Sequence, residues 1–300
     1  MVRDSSFKAL FIAVGAVALT ACGSQTAPKP VVEAISTAQS DSLGIAEAHP
    51  SKIIGDNDLV KVKVDGSNLD PALRGTIDAF GLVVIDQSGA CTGTHLGNGY
   101  VLTAGHCFLS EAVPTPQSVS NADCSTVKVA WGFRGSPATG NAKPLTTLIS
   151  QCTQIVYAEL NPQRDFAIFK VDHAPAAKIA ISVDRKRTAS NTKLTIFGYP
   201  QARPLEWSQY CSLRTHPSLA FAVSNLTTSR FYYQCDTEAG NSGSAVLGVT
   251  SSGTVKVVGV HDGAVMSDYN VGTYMYDIRK TLKAKGFDLD QATHANAFTI

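Results

Sequence analysis

Cys235-Asp236-Thr237-Glu238-Ala239-Gly240-Asn241-Ser242-Gly243-Ser244-Ala245 sets a serine among glycines, and the strand-like run Val255-Lys256-Val257-Val258-Gly259-Val260 follows it, ending at His261. A glycine-rich serine loop by itself is a turn. What surrounds it decides the fold: short β-branched and aromatic runs alternate with clusters of Gly, Pro, Asn and Asp. Gly81–Ile85, Tyr100–Thr103, Val127–Trp131, Phe166–Val171 and Lys193–Phe197 are further examples. This punctuation predicts an all-β barrel or sandwich and not a helical bundle. One helix is expected late in the chain, capped by Asp277, with Ile278 and Leu282 one turn apart and Gly286 ending it.

Two upstream segments complete a chemical set with the serine loop. Thr103-Ala104-Gly105-His106-Cys107 puts a histidine in a tight turn after a strand, and Arg164-Asp165-Phe166-Ala167-Ile168-Phe169 puts an acid at the mouth of an apolar strand. A serine hydroxyl is a poor nucleophile until an imidazole takes its proton. The imidazole in turn needs a carboxylate to fix its tautomer and balance its charge. The set therefore reads as Ser242 nucleophile, His106 base and Asp165 orienting acid, with the N–H groups of Gly240 and Ser242 aimed at a developing oxyanion. The nucleophile elbow of α/β-hydrolases is excluded, because Ser244 stands where that motif needs glycine and the acid and histidine precede the serine.

Composition narrows the function classes. The 300 residues are 44% hydrophobic and only 16% charged, enough apolar material for one large core or two smaller ones. Twenty-five basic residues nearly balance twenty-four acidic ones, which argues against nucleic acid or an anionic membrane as partner and leaves protein or peptide chains.

The first residues read as an export signal, with Arg3 and Lys8 flanking an apolar run from Ala9 to Leu19 too short to span a bilayer. That run ends in Leu19-Thr20-Ala21-Cys22, which resembles the lipobox of bacterial lipoproteins, where the cysteine carries the lipid. The organisation expected is a signal over 1–21, a linker or propeptide over 22–52, the folded domain over 53–287 and a loose polar tail over 288–300. Setting Cys22 aside leaves Cys91, Cys107, Cys124, Cys152, Cys211 and Cys235, an even set that fits three disulfides in an exported chain. Proximity along the chain suggests pairing each with its neighbour. No cysteines or histidines stand at zinc-ligand spacing, so no metal and no cofactor is expected.

Together these segments resemble the chymotrypsin-like serine proteases, and within them the bacterial glutamyl endopeptidases. Ile54-Gly55-Asp56-Asn57-Asp58 is similar to the mature start in that branch, Cys91-Thr92-Gly93-Thr94 with Thr103–Cys107 to its histidine region, Asp165–Ile168 to its acid strand, and Gly198-Tyr199-Pro200 to a turn of its second barrel. The most specific likeness is Cys235–Ala245 followed by Val258-Gly259-Val260-His261. The resemblance implies two trypsin-like antiparallel β-barrels with a cleft between them, a Cys91–Cys107 bridge, and an exported endopeptidase acting as a monomer. It also implies that Thr237 and His261 line the pocket for the residue before the scissile bond, with a preference for Glu or Asp. Asn241 stands where trypsin-like zymogens carry the Asp that receives the freed amine; in the glutamyl branch that amine helps hold the substrate's acid instead. Asp262, next to His261, could orient the imidazole or repel an acidic substrate. The competing readings are a trypsin-fold protease of other specificity and a surface lipoprotein that binds partners without catalysis.

Overall fold

The computed structural model describes residues 51–86, 89–114, 116–135, 148–183, 193–214, 229–265 and 269–294. The expected signal segment, Cys22 and the linker up to residue 50 lie outside the described residues, as do residues 295–300 of the expected tail.

Along the chain, β1 (Val60–Lys61) and a short helix α1 (Pro71–Arg74) lead into β2 (Phe80–Ile85), β3 (Gly89–Gly97), β4 (Tyr100–Thr103), β5 (Gln117–Ala122), β6 (Val127–Trp131), β7 (Leu148–Asn161) and β8 (Arg164–Val171). Then follow β9 (Lys193–Gly198), β10 (Glu206–Arg214), β11 (Arg230–Tyr233), β12 (Ala245–Val249), β13 (Val255–Val265), β14 (Tyr269–Tyr274), and the helices α2 (Met275–Ala284) and α3 (Leu289–His294). Strands β2, β3, β4, β8, β7 and β6 close into one six-stranded antiparallel barrel, with β5 added on the outside of β7. Strands β9, β12, β13, β14, β11 and β10 close into a second, with β1 added on β10. Closure removes the exposed edges that an open sheet would leave.

Each barrel has its own apolar interior. Val83, Val101, Val129, Ala167 and Phe169 fill the first, and Leu194, Ile196, Phe231, Tyr233 and Val246 the second. A third cluster joins the barrels through Phe80, Leu82, Phe166, Phe197 and Tyr199, and takes in Ile278 and Leu282 of α2. Side chains of this size each stabilise by about 1.5–3 kcal/mol when fully buried. Three disulfides link Cys91 to Cys107, Cys124 to Cys152 and Cys211 to Cys235, so the six pair off consecutively along the chain.

Two expectations are corrected. Helix α2 begins at Met275, capped by Tyr274, so Asp277 lies inside the first turn rather than at the cap. The reason is that β14 runs straight into the helix with Tyr274 still extended (φ −61°, ψ 135°), leaving no loop in which Asp277 could stand as a cap. Residues 289–294 are not loose tail but α3. Leu289 and Thr293, one turn apart, are buried, and Asn98 Nδ2 donates to Ala292 O at 2.6 Å while Arg279 Nε donates to Asp290 Oδ1 at 2.6 Å. Six residues are too few for an apolar period to stand out in sequence.

Candidate active site

The turn carrying His106 follows β4 directly and is fastened to β3 by the Cys91–Cys107 bridge. Its geometry depends on Gly105, where a Cβ would meet Glu159 O at 2.1 Å and Asp165 Oδ1 at 2.9 Å. That close approach lets one carboxylate serve the whole turn. Asp165 Oδ1 accepts from Gly105 N at 2.5 Å and His106 N at 3.0 Å, and Oδ2 lies 2.6 Å from His106 Nδ1. Asp165 is fully buried at the start of β8, and His106 is partly exposed. An imidazole donating from Nδ1 to a buried carboxylate keeps Nε2 as the basic nitrogen. Burial opposes charge on His106, but the charge and hydrogen bond of Asp165, helped by Glu111 and Asp262, outweigh it and raise its pKa above the ordinary histidine value.

The serine loop is pinned against both barrels. Thr92 N donates to Ser242 O at 2.8 Å, and Thr92 Oγ1 donates to Gly240 O at 2.9 Å while accepting from Tyr199 N at 3.0 Å. Gly243 has φ +85°, and a Cβ there would fall 2.0 Å from Thr103 Oγ1 and 2.8 Å from Ala104 N. The residue after Ser242 is therefore packed on the strand end that leads into His106. Gly240, at φ +93°, fits as closely against Tyr199 O, 2.5 Å from where its Cβ would be. Only glycine supplies both a positive φ and this approach.

Thr237 and His261 come together around the start of the described chain. His261 is fully buried, its Nδ1 meeting the hydroxyl of Tyr233 and its Nε2 lying 3.0 Å from Ser51 Oγ. Lys52 N donates to Thr237 Oγ1 at 3.2 Å and Asn270 Oδ1 at 3.1 Å; Thr237 N and Asn270 Nδ2 donate back to Lys52 O at 3.0 and 2.8 Å. Asp236 fixes the segment further along, accepting from Ile54 N at 2.8 Å and Asp58 N at 2.6 Å. Burial and the nearby acids Asp58 and Glu238 raise the Asp236 pKa despite those two amides.

A bulge in the β13–β14 pairing separates the roles of His261 and Asp262. The register passes from His261 opposite Gly272 to Gly263 opposite Val271, leaving Asp262 as the extra residue. Asp262 is fully buried, with Oδ1 accepting from Arg230 Nη1 at 3.0 Å and Oδ2 from Thr273 Oγ1 at 2.8 Å. Neither contact belongs to the His261 imidazole. Sequence reasoning assigned no role to Thr92, Tyr233, Asn270 or Thr273. Each is a polar residue within a strand run, and its only signal is that a buried strand must find it a partner.

A profile of the trypsin-like peptidase domain matches residues 88–260. Among solved structures, the chain is similar to a Glu endopeptidase in complex with MPD, with 22% identity, a TM-score of 0.53, and coverage of 78% of this chain and 99% of that one. It is also similar to Rv3671c from M. tuberculosis H37Rv in an inactive form, with 16% identity, a TM-score of 0.49, and coverage of 72% and 90%. No curated protein matches in sequence. The Glu endopeptidase likeness covers both barrels and agrees with the fold described above.

Proposed function

Because the chain belongs to the trypsin-like peptidase domain family, we propose that it is an exported serine endopeptidase whose triad is His106, Asp165 and Ser242. The observation that carries this reading is the buried Asp165 carboxylate serving His106 Nδ1 at 2.6 Å together with the amides of residues 105 and 106. Such an arrangement keeps His106 Nε2 free of the proton it must take. Ser242 Oγ attacks the scissile carbonyl as Nε2 accepts its proton, and the amides of Gly240 and Ser242 receive the negative oxygen. Collapse of the tetrahedral intermediate breaks the C–N bond, with His106 returning the proton to the leaving amine. Water then releases the acyl group from Ser242 by the same route.

The residue before the scissile bond is Glu, or Asp, in our reading. A carboxylate leaving water needs donors. Tyr233, whose ionisation burial pushes well above the ordinary tyrosine range, stays a hydroxyl beside His261 Nδ1; with that hydroxyl as donor, Nε2 presents an N–H. Thr237 Oγ1 and the main chain at residue 52 supply the rest. In the uncut chain Ser51 Oγ takes the His261 Nε2 contact, so residues up to 51 must leave before substrate can use it. A cut before Lys52 would stand the new amine on Thr237 Oγ1 and Asn270 Oδ1, the acceptors of Lys52 N. The same trimming would separate the enzyme from a lipid on Cys22, if that residue anchors the precursor to the cell envelope. Six cysteines joined in three disulfides fit an oxidising, extracytoplasmic setting, and no helix among the described residues is long and apolar enough to cross a membrane.

The test compares wild type and Ser242→Ala, both trimmed to begin at Lys52, on a mixed peptide library read by mass spectrometry. Cleavage after Glu that disappears in the variant is the expected result. Serine-dependent cleavage after other residues would keep the triad and discard the acidic pocket, and no cleavage by trimmed wild type would favour a binding protein built on this fold.

A further inference from the structure

Asp262 is a second buried carboxylate near His106, and the acyl-transfer steps do not use it. Its partners lead to the orienting acid. Thr273 Oγ1 donates to Asp262 Oδ2 at 2.8 Å and accepts from Asp165 N at 3.1 Å. Arg230, nine-tenths buried, gives Nη1 to Asp262 Oδ1 at 3.0 Å and Nη2 to Asn161 O at 3.2 Å. Asn161 closes the β7–β8 turn through Oδ1, which accepts from Gln163 N and Arg164 N at 2.8 Å each, immediately before Asp165. Both ends of the short segment 161–165 are thus tied to the second barrel, and both ties pass through one carboxylate.

We propose that Asp262, held by Arg230 and Thr273, is a positioning residue for the Asp165–His106 pair, acting across the two barrels. This rests on the triad reading of the preceding subsection. The arrangement answers whether Asp262 faces an acidic substrate: its oxygens are committed to Arg230 and Thr273, on the side of the triad acid. Taking a guanidinium and a carboxylate out of water is costly, and a hydrophobic pair of the same volume often stabilises as well or better. A pair kept under that penalty, with bonds leading to both ends of the Asp165 segment, fits a role in placing Asp165.

Charge gives the role a signature that structural support alone would not have. Among the described residues, the acids that most favour charge on His106 are Asp165 on β8, Glu111 in the segment after its turn, and Asp262 on β13. Glu159 on β7 is paired with Arg164, and Asp262 with Arg230. Asp262 favours the imidazolium. Removing its charge while Arg230 remains must therefore lower the histidine pKa; removing both charges must lower it less.

The experiment titrates His106 by NMR in the trimmed Ser242→Ala protein, so that the readout does not depend on turnover, and measures pH profiles in the active background. Asp262→Asn should lower the His106 pKa, because the charge it removes favours the imidazolium. Asp262→Asn should also cut kcat by about 10- to 100-fold with KM little changed, as a misplaced catalytic group does. The double variant Asp262→Asn/Arg230→Met should show a smaller pKa change and a similar kcat loss. An unmoved titration in a folded variant, or an effect on KM alone, overturns the proposal. Loss of the fold in both variants also overturns it, since the pair would then serve only to hold the barrels together. A wild type without activity but with the expected shift in His106 would count against the triad reading and not against this one.

Discussion

Replacing Gly243 by alanine tests whether the serine loop works through its exact seat on the first barrel. The new Cβ would sit 2.0 Å from Thr103 Oγ1, 2.5 Å from Thr92 O and 2.8 Å from Ala104 N, where ordinary contact begins at 3.4 Å. Thr103 cannot simply swing away, because its hydroxyl donates to Thr92 O at 2.9 Å, and the other two neighbours are backbone. The loop must therefore back off by about an ångström, carrying Ser242 with it. A displacement of that size at reacting groups costs about 100-fold in rate. Holding alanine at φ +85° adds about 1–2 kcal/mol of backbone strain. Trimmed Gly243→Ala should thus remain folded by circular dichroism, melt several degrees lower, and lose roughly two orders of magnitude in kcat, measured on a peptide cleaved by wild type with active sites counted by a serine-directed acylating probe. Activity within threefold of wild type, about 0.65 kcal/mol, would refute the reasoning, because the loop would then tolerate a shift that the packing forbids.

Three more outcomes follow from the same geometry. Since Asp165 raises the His106 pKa and the base must be neutral, kcat/KM should climb with pH through a value above 6.5; a limb below 6.5 would contradict the pairing. The sign for stability is opposite: the His106 contribution is complete below 6.5 and is lost as pH rises through the raised value, which urea melts of Ser242→Ala across pH can follow. Replacing Cys91 and Cys107 together by alanine should cost about 2–5 kcal/mol of stability and lower activity beyond what unfolding explains, as the bridge ends one residue from His106; full activity of the folded variant would show the turn to be held by Asp165 alone.

Much of this architecture was legible because its signals are local. Runs such as Tyr100–Thr103 and Val127–Trp131 are β-branched or aromatic and bounded by turn residues, and each appears as a strand. The His106 and Asp165 segments stood out as particular residue types beside particular turns, and the structure brings the two side chains to 2.6 Å. Gln117–Ala122 escaped notice, being polar and half exposed on the outside of its barrel, where no apolar alternation is required. Helix α3 escaped because one buried leucine and one buried threonine anchor it. Thr92, Thr273, Tyr233 and Arg230 escaped for a different reason: their partners lie far away in sequence, on the other barrel or across a strand, so no spacing could announce them. The bulge at Asp262 belongs to the same class. It decides which way two neighbouring side chains face, and only the strand register reveals it.

The hydroxyl of Thr92, on a strand of the first barrel, bonds both Gly240 and Tyr199 in the second half of the chain, so the serine loop is finished only when the two halves of the molecule have met. The histidine turn waits on the same meeting, since the Asp165 that serves it is tied to Thr273 of the second barrel. A copy with only its first barrel formed would therefore lack both the seat of the serine loop and a tie on the acid beside His106.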